Sequence, residues 1–173
     1  MMSRHVIFGL IVMALCASAV SAKEFKIGYV DSEAILSQYD AYTEAQNKLK
    51  EEEQKFVAEM NIKEEAIRAM QEEIKQQSLM LSAEARAERE NRLGEKLRDL
   101  DQFRSQTWGE GGKLFTRNLE LSRPILEKVN MAIETVSRLE SYDMVFDAAS
   151  GNIVFALPEH DLTELVVAEL KKD

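Results

Sequence analysis

Apolar residues recur every seven positions through much of the first half of this 173-residue chain, and this repeat restricts its fold more than any other feature. The spacing predicts one helix of about 48 residues starting at Ile35, roughly 70 Å long at 1.5 Å per residue. A compact domain of this size would not contain so long a helix. One line of the repeat is Ile35, Tyr42, Leu49, Phe56, Lys63, Met70 and Gln77, and the other is Tyr39, Gln46, Glu53, Met60, Ile67, Ile74 and Leu81.

Polar residues interrupt both lines of the repeat, which predicts loose packing of this helix on its partner. A second helix is expected after Ser82, which can serve as its N-cap, with Glu84 in the first turn where the helix dipole favours negative charge. Two long helices joined by a short turn predict an antiparallel hairpin whose tip lies near residues 80–86. A helical repeat would also explain long helices, but the chain shows no internal similarity at such a period.

Short β-branched and aromatic runs at residues 25–30, 142–148 and 153–157 predict three strands near the two ends of the chain. The last two runs flank Gly151 and are expected to form a β-hairpin. The first run precedes Asp31 or Ser32, either of which can cap the long helix.

Two further helices are predicted in the carboxyl-terminal part. Residues 122–140 continue or restart the second long helix, with Pro124 either in a first turn after a Ser122 cap or at a kink. A short amphipathic helix capped by Asp161 or Thr163 ends the chain. The predicted fold class is α+β, mostly α, with a small β-body formed by residues 23–34 and 122–173 and a long projecting helical hairpin formed by residues 35–121.

The first 22 residues have the layout of a cleavable signal peptide. Arg4 and His5 precede an apolar run that ends in small residues, so cleavage is expected after Ala22. The alternative is a membrane anchor, but the run is shorter than the roughly 20 apolar residues that span a bilayer. Leu15 lies before Cys16, where a lipoprotein signal requires a small residue. The predicted localisation is therefore the periplasm, with no lipid attachment.

The mature chain is acidic and has no cysteine, because Cys16 is in the signal peptide. It has 21 basic and 31 acidic residues after the loss of Arg4, a net charge of 21 − 31 = −10. A chain of this charge is a poor general binder of nucleic acid. Without disulfides its stability must come from packing and association, and the small β-body predicts an oligomer.

Residues for catalysis, metal binding or cofactor binding are not evident. His160 is the only histidine of the mature chain, so neither a metal site nor a nucleophilic dyad can be assembled around it. Gly112 and Lys113 are followed by Leu114, whereas a phosphate-binding loop requires Ser or Thr there. We therefore predict that the protein is not an enzyme and uses no cofactor.

Five segments together resemble a known family: IGYVDSEAIL, LSAEARAE, PILEKVNMAIETV, YDMVFDA and DLTELVVAEL. They resemble the Skp or OmpH family of periplasmic chaperones over essentially the whole mature chain. The resemblance implies a homotrimer with a joint, barrel-like β-body and three hairpins that project around a cavity. It also implies ATP-independent holding of unfolded outer-membrane β-barrel proteins, which prevents their aggregation before membrane insertion.

The charge of this chain departs from that of the best-known family members, which are strongly basic. Between Lys75 and Arg98 the chain has 6 basic and 4 acidic residues, so only the predicted tip is slightly positive. Client capture is therefore expected to depend on apolar contact. The candidate client-contact residues are Met60, Ile67, Met70, Ile74, Met80, Leu81 and Leu93, although the methionines would also suit the hairpin interior.

Two other groups of residues are functional candidates. Near the tip, Lys75, Arg86, Arg89 and Arg92 could weakly contact lipid or lipopolysaccharide headgroups, or they could form a solvated helix face with neighbouring glutamates. Gly109, Gly111 and Gly112 are interpreted as a hinge within the arm, since each glycine inside a helix costs about 1 kcal/mol. The alternative is a closely packed spot beside Phe56 or Trp108.

A second function class fits a charged helical hairpin. A non-catalytic structural or adaptor coiled coil of the cell envelope would bind one folded partner through a continuous apolar patch on a rigid arm. The interrupted repeat and the glycines favour the chaperone over this alternative.

Overall fold

The computed structural model describes residues 24–77 and 80–172, so the predicted signal peptide lies outside the described part of the chain. The fold is mostly helical with a small sheet, as predicted. Two short 3-10 helices, Ala148–Ser150 and Pro158–His160, lie in the carboxyl-terminal region. The main elements are β1 Ile27–Val30, α1 Ser32–Ser37, α2 Asp40–Gln77, α3 Ala83–Trp108, α4 Lys113–Leu139, β2 Met144–Asp147 and α5 Thr163–Leu170.

The helices α2 and α3 form an antiparallel hairpin that reverses where the sequence predicted. Ser82 is the N-cap of α3, and its hydroxyl accepts a 3.2 Å hydrogen bond from the N–H of Ala85. Hydrogen bonds from its own backbone N–H and from the Ser82 hydroxyl lower the pKa of Glu84 in the first turn. The cap and the acidic first turn thus define the start of α3.

The first long helix is interrupted near its start, contrary to the single helix predicted from Ile35. The cap at Asp31 is confirmed, since its carboxylate accepts a 2.9 Å hydrogen bond from the N–H of Ala34. This helix, α1, ends at Ser37, and α2 begins at Asp40. Ile35 is fully buried in the core of the base, so the short α1 belongs to that core and the chain turns before the arm begins.

The second long helix is also divided, and the glycines lie outside both parts. Helix α3 ends at Trp108 and α4 begins at Lys113, so the prediction of one helix through this segment is wrong. Gly111 has a φ of 70°, a left-handed conformation that a continuous right-handed helix excludes. The segment 109–112, which we call the glycine joint, therefore separates two helices.

Helix α4 passes through Pro124 without a new start. The hydroxyl of Ser122 donates to the side-chain oxygen of Asn118 and does not cap a helix. Residues 122–139 therefore belong to a helix that starts at Lys113, so neither a new start at Ser122 nor an unbroken continuation of α3 is correct. Helix α4 runs from the arm into the base, and its buried side chains are Ile125, Val129, Ala132 and Val136.

The predicted hairpin between residues 142–148 and 153–157 is wrong. Strand β2 pairs instead with β1, in parallel, with Ile27 opposite Met144 and Val30 opposite Asp147. Gly151 does form a turn, with φ 71°, but residues 153–157 have no strand assignment. In the parallel pairing, Val30 and Val145 both face the helices of the base. A hairpin between β2 and residues 153–157 would not bring Val145 next to β1.

The base has a single apolar core, which joins both ends of the described chain. Helix α5 has Leu162 as its N-cap residue, and the Asp161 carboxylate accepts from the N–H of Thr163 at 2.9 Å. The Thr163 hydroxyl in turn accepts from the N–H of Asp31. Core residues are Val30, Ile35, Val129, Ala132, Val136, Leu162, Val166, Val167 and Leu170.

Candidate functional site

The arm, which consists of α2, α3 and the first turns of α4, has a sparse apolar interior. In the described part of α2, only Ala45 and Ile67 are buried, and α3 contributes only Leu100, Phe103 and Thr107. A tightly closed coiled coil would bury most of its seam residues. The loose packing expected from the polar positions of the repeat therefore agrees with the observed burial.

Ion pairs also link the helices of the arm. The pairs named below are partly exposed, so each is screened by water and salt. Hydrogen bonding to an aspartate raises the pKa of Lys63, and hydrogen bonding to two glutamates raises that of Arg117. The pairs are Glu52 with Arg117 at 2.8 Å, Lys63 with Asp99 at 2.7 Å, Glu73 with Arg89 at 2.8 Å, and Glu64 with Arg104.

The predicted client-contact residues differ widely in exposure. Met80 at the tip is 81% exposed, whereas Ile67 is only 6% exposed and packs inside the arm. Direct contact of a client with Ile67 would require the hairpin to open. The other five candidates are half-buried between these extremes: Met60, Met70, Ile74, Leu81 and Leu93.

The structure places Met70 beside one of the tip cations. Met70 lines a shallow cavity of about 490 Å³ whose other walls are the charged residues Arg92, Glu95, Lys96 and Asp99 of α3. An apolar floor with a rim of both charges suits a polypeptide segment with mixed side chains. This groove is small and open, so it would provide weak contacts.

Two of the tip cations are held in ion pairs within the arm. Arg89 reaches across the hairpin to Glu73 and Gln77, and Arg92 pairs with Glu88 on its own helix. Lys75 and Arg86 have exposed side chains near the tip. Contact of these cations with lipid headgroups stays a prediction.

An aromatic cluster lies next to the glycine joint. Phe56 of α2 and the pair Phe103 and Trp108 of α3 meet edge to face, with ring centroids 6.0 to 6.4 Å apart. The ammonium of Lys113 lies 5.4 Å from the ring centre of Phe56. Phe56 lines a groove together with Gly111 and Gly112 of the joint, and α2 runs unbroken past it.

The backbone of the joint is closely packed against the end of α3. A Cβ on Gly112 would lie 2.9 Å from the carbonyl oxygens of Gln106, Thr107 and Gly109. The contacts come from backbone carbonyls rather than from Phe56 or Trp108. Close packing and bending are compatible roles, and the hinge stays a prediction.

Sequence reasoning missed an apolar surface on the base. Ile27, Met144 and Phe146 are exposed on the outer face of the two-stranded sheet, and Val154 and Phe155 are 99% and 82% exposed. Of these side chains, Ile27, Phe146 and Phe155 line a groove of about 810 Å³. The alternation of Met144 and Phe146 on one face of β2 was the available signal, but the wrong hairpin assignment hid it.

A second missed surface runs along α4. Phe115, Leu119 and Leu126 are exposed at spacings of four and seven residues, which place them on one stripe of the helix. The stripe leads from the glycine joint toward the base. The helical spacing of these apolar residues is visible in the sequence. The sequence does not show which apolar stripe of a helix stays exposed to solvent.

The described residues do not contain a metal-binding cluster of three or more histidine, cysteine or acidic side chains. His160 pairs its Nε2 with Glu159 at 3.9 Å, and its Nδ1 is buried without a hydrogen-bond partner. Across residues 24–77 and 80–172, no helix has the length and apolar character that crossing a bilayer requires.

The family model for outer membrane protein (OmpH-like) matches residues 26–170. This range includes the sheet, the arm and α5. The chain belongs to the OmpH-like family. Family membership supports a general chaperone role and is consistent with a protein that is not an enzyme.

Among solved structures, the OmpH-like fold is similar to that of a proposed outer membrane chaperone (OmpH-like) from Caulobacter crescentus CB15. The TM-score is 0.75 at 15% sequence identity, and the similarity covers 86% of this chain and 85% of that protein. At this identity the similarity establishes the fold alone. No curated protein sequence matches this OmpH-like chain at a significant level.

Proposed function

We propose that this protein is an ATP-independent periplasmic holdase that binds unfolded outer-membrane β-barrel proteins and prevents their aggregation before membrane insertion. The observation that carries the proposal is the arm, whose apolar side chains are only partly buried between two long helices. Such a surface offers many weak contacts, and weak contacts allow rapid exchange and release of a client. Membership of the OmpH-like family supports the same function.

The proposal includes association into a homotrimer through the base. The base leaves Ile27, Met144 and Phe146 exposed on one face of the sheet, beside the apolar segment 153–157, which has no strand assignment. An exposed apolar sheet face and an unpaired β-branched segment favour pairing with another copy of the chain. Three arms from one joint base would then surround a client.

We propose that clients bind mainly through apolar contacts, because an acidic chain gives little electrostatic attraction to acidic clients. The mature protein has ten more acidic than basic residues, and Arg89 and Arg92 at the tip are paired within the arm. Contact of the tip cations with lipid or lipopolysaccharide would be weak. Nucleic acid is not among the proposed partners.

Export to the periplasm is proposed from the signal peptide predicted in residues 1–22. The proposed division of the mature chain assigns residues 23–34 and 122–173 to the base, and residues 35–121 to the arm with its tip near 80–86. The position of α1 supports a slightly longer amino-terminal part of the base, because Ile35 lies in the base core.

Light scattering tests the proposed function directly. A urea-unfolded outer-membrane β-barrel protein is diluted into buffer that contains the mature protein, without nucleotide, at low and at high salt. Suppressed aggregation at both salt concentrations is the expected result and would indicate apolar contact. Suppression only at low salt would identify charge as the main attraction.

A negative result would favour the second function class. If the folded, oligomeric protein suppresses aggregation at neither salt concentration, the holdase proposal fails for that client. A structural or adaptor coiled coil would then be the better description. Binding of one folded partner with a fixed stoichiometry would support it.

A further inference from the structure

The distal half of the arm lacks an apolar interior of its own. Beyond Ile67 on α2 and Leu100 on α3, none of the described arm residues, 68–77 and 80–99, is fully buried. Met70, Ile74 and Leu93 are half-buried there. Apolar packing therefore holds the distal ends of the two helices together only weakly. Polar contacts contribute more to their relative position here than in the half of the arm nearer the base.

Arg89 makes a polar contact near the tip that joins the two helices. Its guanidinium donates a 2.8 Å hydrogen bond to the Glu73 carboxylate and a second hydrogen bond to the side-chain oxygen of Gln77. The Arg89 side chain is only 32% exposed. A planar guanidinium with two acceptors one turn apart on α2 restricts both the separation and the sliding of the helices.

Arg92, one turn further along α3, provides a contrast. It donates to Glu88 on the same helix and so does not link α3 to α2. The next interhelical ion pair toward the base is Lys63 with Asp99. Between that pair and the tip, Arg89 links α3 to α2 through its ion pair with Glu73.

We propose that Arg89 is a positioning residue that clamps the distal ends of α2 and α3 and thereby limits the access of an unfolded chain to Met70, Ile74 and Leu93. The part of this proposal that concerns the client rests on the proposed holdase function. When the clamp opens, the two helices separate at the tip and present these half-buried side chains. Closing the clamp covers them and favours release.

Hydrogen exchange of the mature protein tests the clamp without any client. The variant Arg89→Gln should speed exchange of backbone amides in residues 68–77 and 83–97 by about threefold to tenfold, because it removes a partly buried charged contact. Arg92→Gln is the matched control and should leave these rates within about twofold. The double variant Arg89→Glu with Glu73→Arg should restore slow exchange. Equal rates in Arg89→Gln and Arg92→Gln would overturn the clamp.

A client-release measurement tests the second part. A labelled, unfolded β-barrel protein is bound to each variant and then challenged with an excess of unlabelled client. The release rate should be about threefold lower for Arg89→Gln than for the wild-type protein, since more apolar surface is available. Faster exchange without slower release would overturn the part that concerns the client. If the wild-type protein binds no client, the proposed function fails, and hydrogen exchange alone decides the clamp.

Discussion

The backbone N–H of Gly109 donates a 2.9 Å hydrogen bond to the carbonyl oxygen of Ser105, and this contact ends α3. The same oxygen occupies the space in which a Cβ on Gly109 would lie. Gly111, two residues later, has a φ of 70°. Glycine is therefore required at Gly109 by close contact and at Gly111 by backbone conformation.

Alanine in the joint should destabilise the protein rather than extend a helix. We expect Gly111→Ala to lower the free energy of unfolding by about 1–2 kcal/mol, and Gly109→Ala to lower it further because backbone must move. Gly94→Ala in the interior of α3 is the matched control. Only Arg98 Nη1, at 3.5 Å, approaches its Cβ, so it should stabilise by up to about 1 kcal/mol. Urea unfolding measures all three, and a stabilised Gly109→Ala would contradict this account.

The hinge hypothesis needs a separate measurement. Because α2 runs unbroken opposite the joint, any bending at the joint must also bend α2. If bending adapts the arm to its clients, the triple variant Gly109→Ala, Gly111→Ala and Gly112→Ala should hold a narrower range of client sizes. An unchanged range in a folded triple variant would leave close packing as the role of the joint.

Variants of Ile67 and Met80 should affect different properties: the first the stability of the arm, the second the binding of a client. Ile67 is buried, so Ile67→Ala should lower the free energy of unfolding by about 2–5 kcal/mol. Met80 is mostly exposed, and Met80→Ser should change stability by less than about 0.5 kcal/mol while weakening suppression of client aggregation. Thermal unfolding and light scattering provide the two readouts. A Met80→Ser variant that holds client as well as the wild type would remove Met80 from the contact surface.

Asp147 should make the stability of the base depend on pH. Its carboxylate accepts hydrogen bonds from the hydroxyl of Ser32 at 2.7 Å, the N–H of Ser32 at 3.2 Å and the N–H of Ala149 at 3.1 Å. Burial raises the pKa of Asp147, but these hydrogen bonds outweigh burial and lower it below the ordinary value of 3.8. The stabilisation is therefore present above pH 3.8 and is lost as the pH falls through the lower folded-state pKa.

The variant Asp147→Asn tests this dependence. Its Tm should be about 2–4 °C below that of the wild type above roughly pH 5, because the charged acceptor is lost. The difference should shrink below pH 3.8 as the wild-type carboxylate becomes protonated. A difference that stays constant between pH 6 and pH 3, on the order of the same few degrees, would exclude Asp147 as its source.

Charged residues on the base should disrupt the proposed trimer. The side chains of Val154 and Phe155 are almost fully exposed in the single chain, so Val154→Asp and Phe155→Asp should leave the fold intact and weaken self-association at least about tenfold. Ile62→Asp is the matched control, because Ile62 is an exposed apolar residue on the arm. Sedimentation velocity measures the oligomer. Equal association of all three variants would argue against this surface as the interface.

Local signals in the sequence predicted the elements of the arm. The seven-residue repeat indicated α2, and Ser82 and Glu84 located the start of α3. Asp31 was one of the two residues proposed as the cap of the first helix. These features depend on side chains within a few residues of each other in the chain. For the same reason, the sequence could predict the position of Met80 at the tip and the loose packing along the seven-residue repeat.

Long-range packing decided what the sequence could not. The pairing of β1 with β2 joins residues more than one hundred positions apart. The neighbouring β-branched run at residues 153–157 led instead to the prediction of a local hairpin. The partner of Arg89 was ambiguous too, since glutamates lie both on its own helix and on α2. Capping and periodicity are local, so the sequence was sufficient to locate the long helical segments and the turn of the hairpin. The strand pairing, the helix breaks after Ser37 and at the glycines, and the set of exposed residues were known only from the folded chain, because burial and strand pairing depend on distant surfaces.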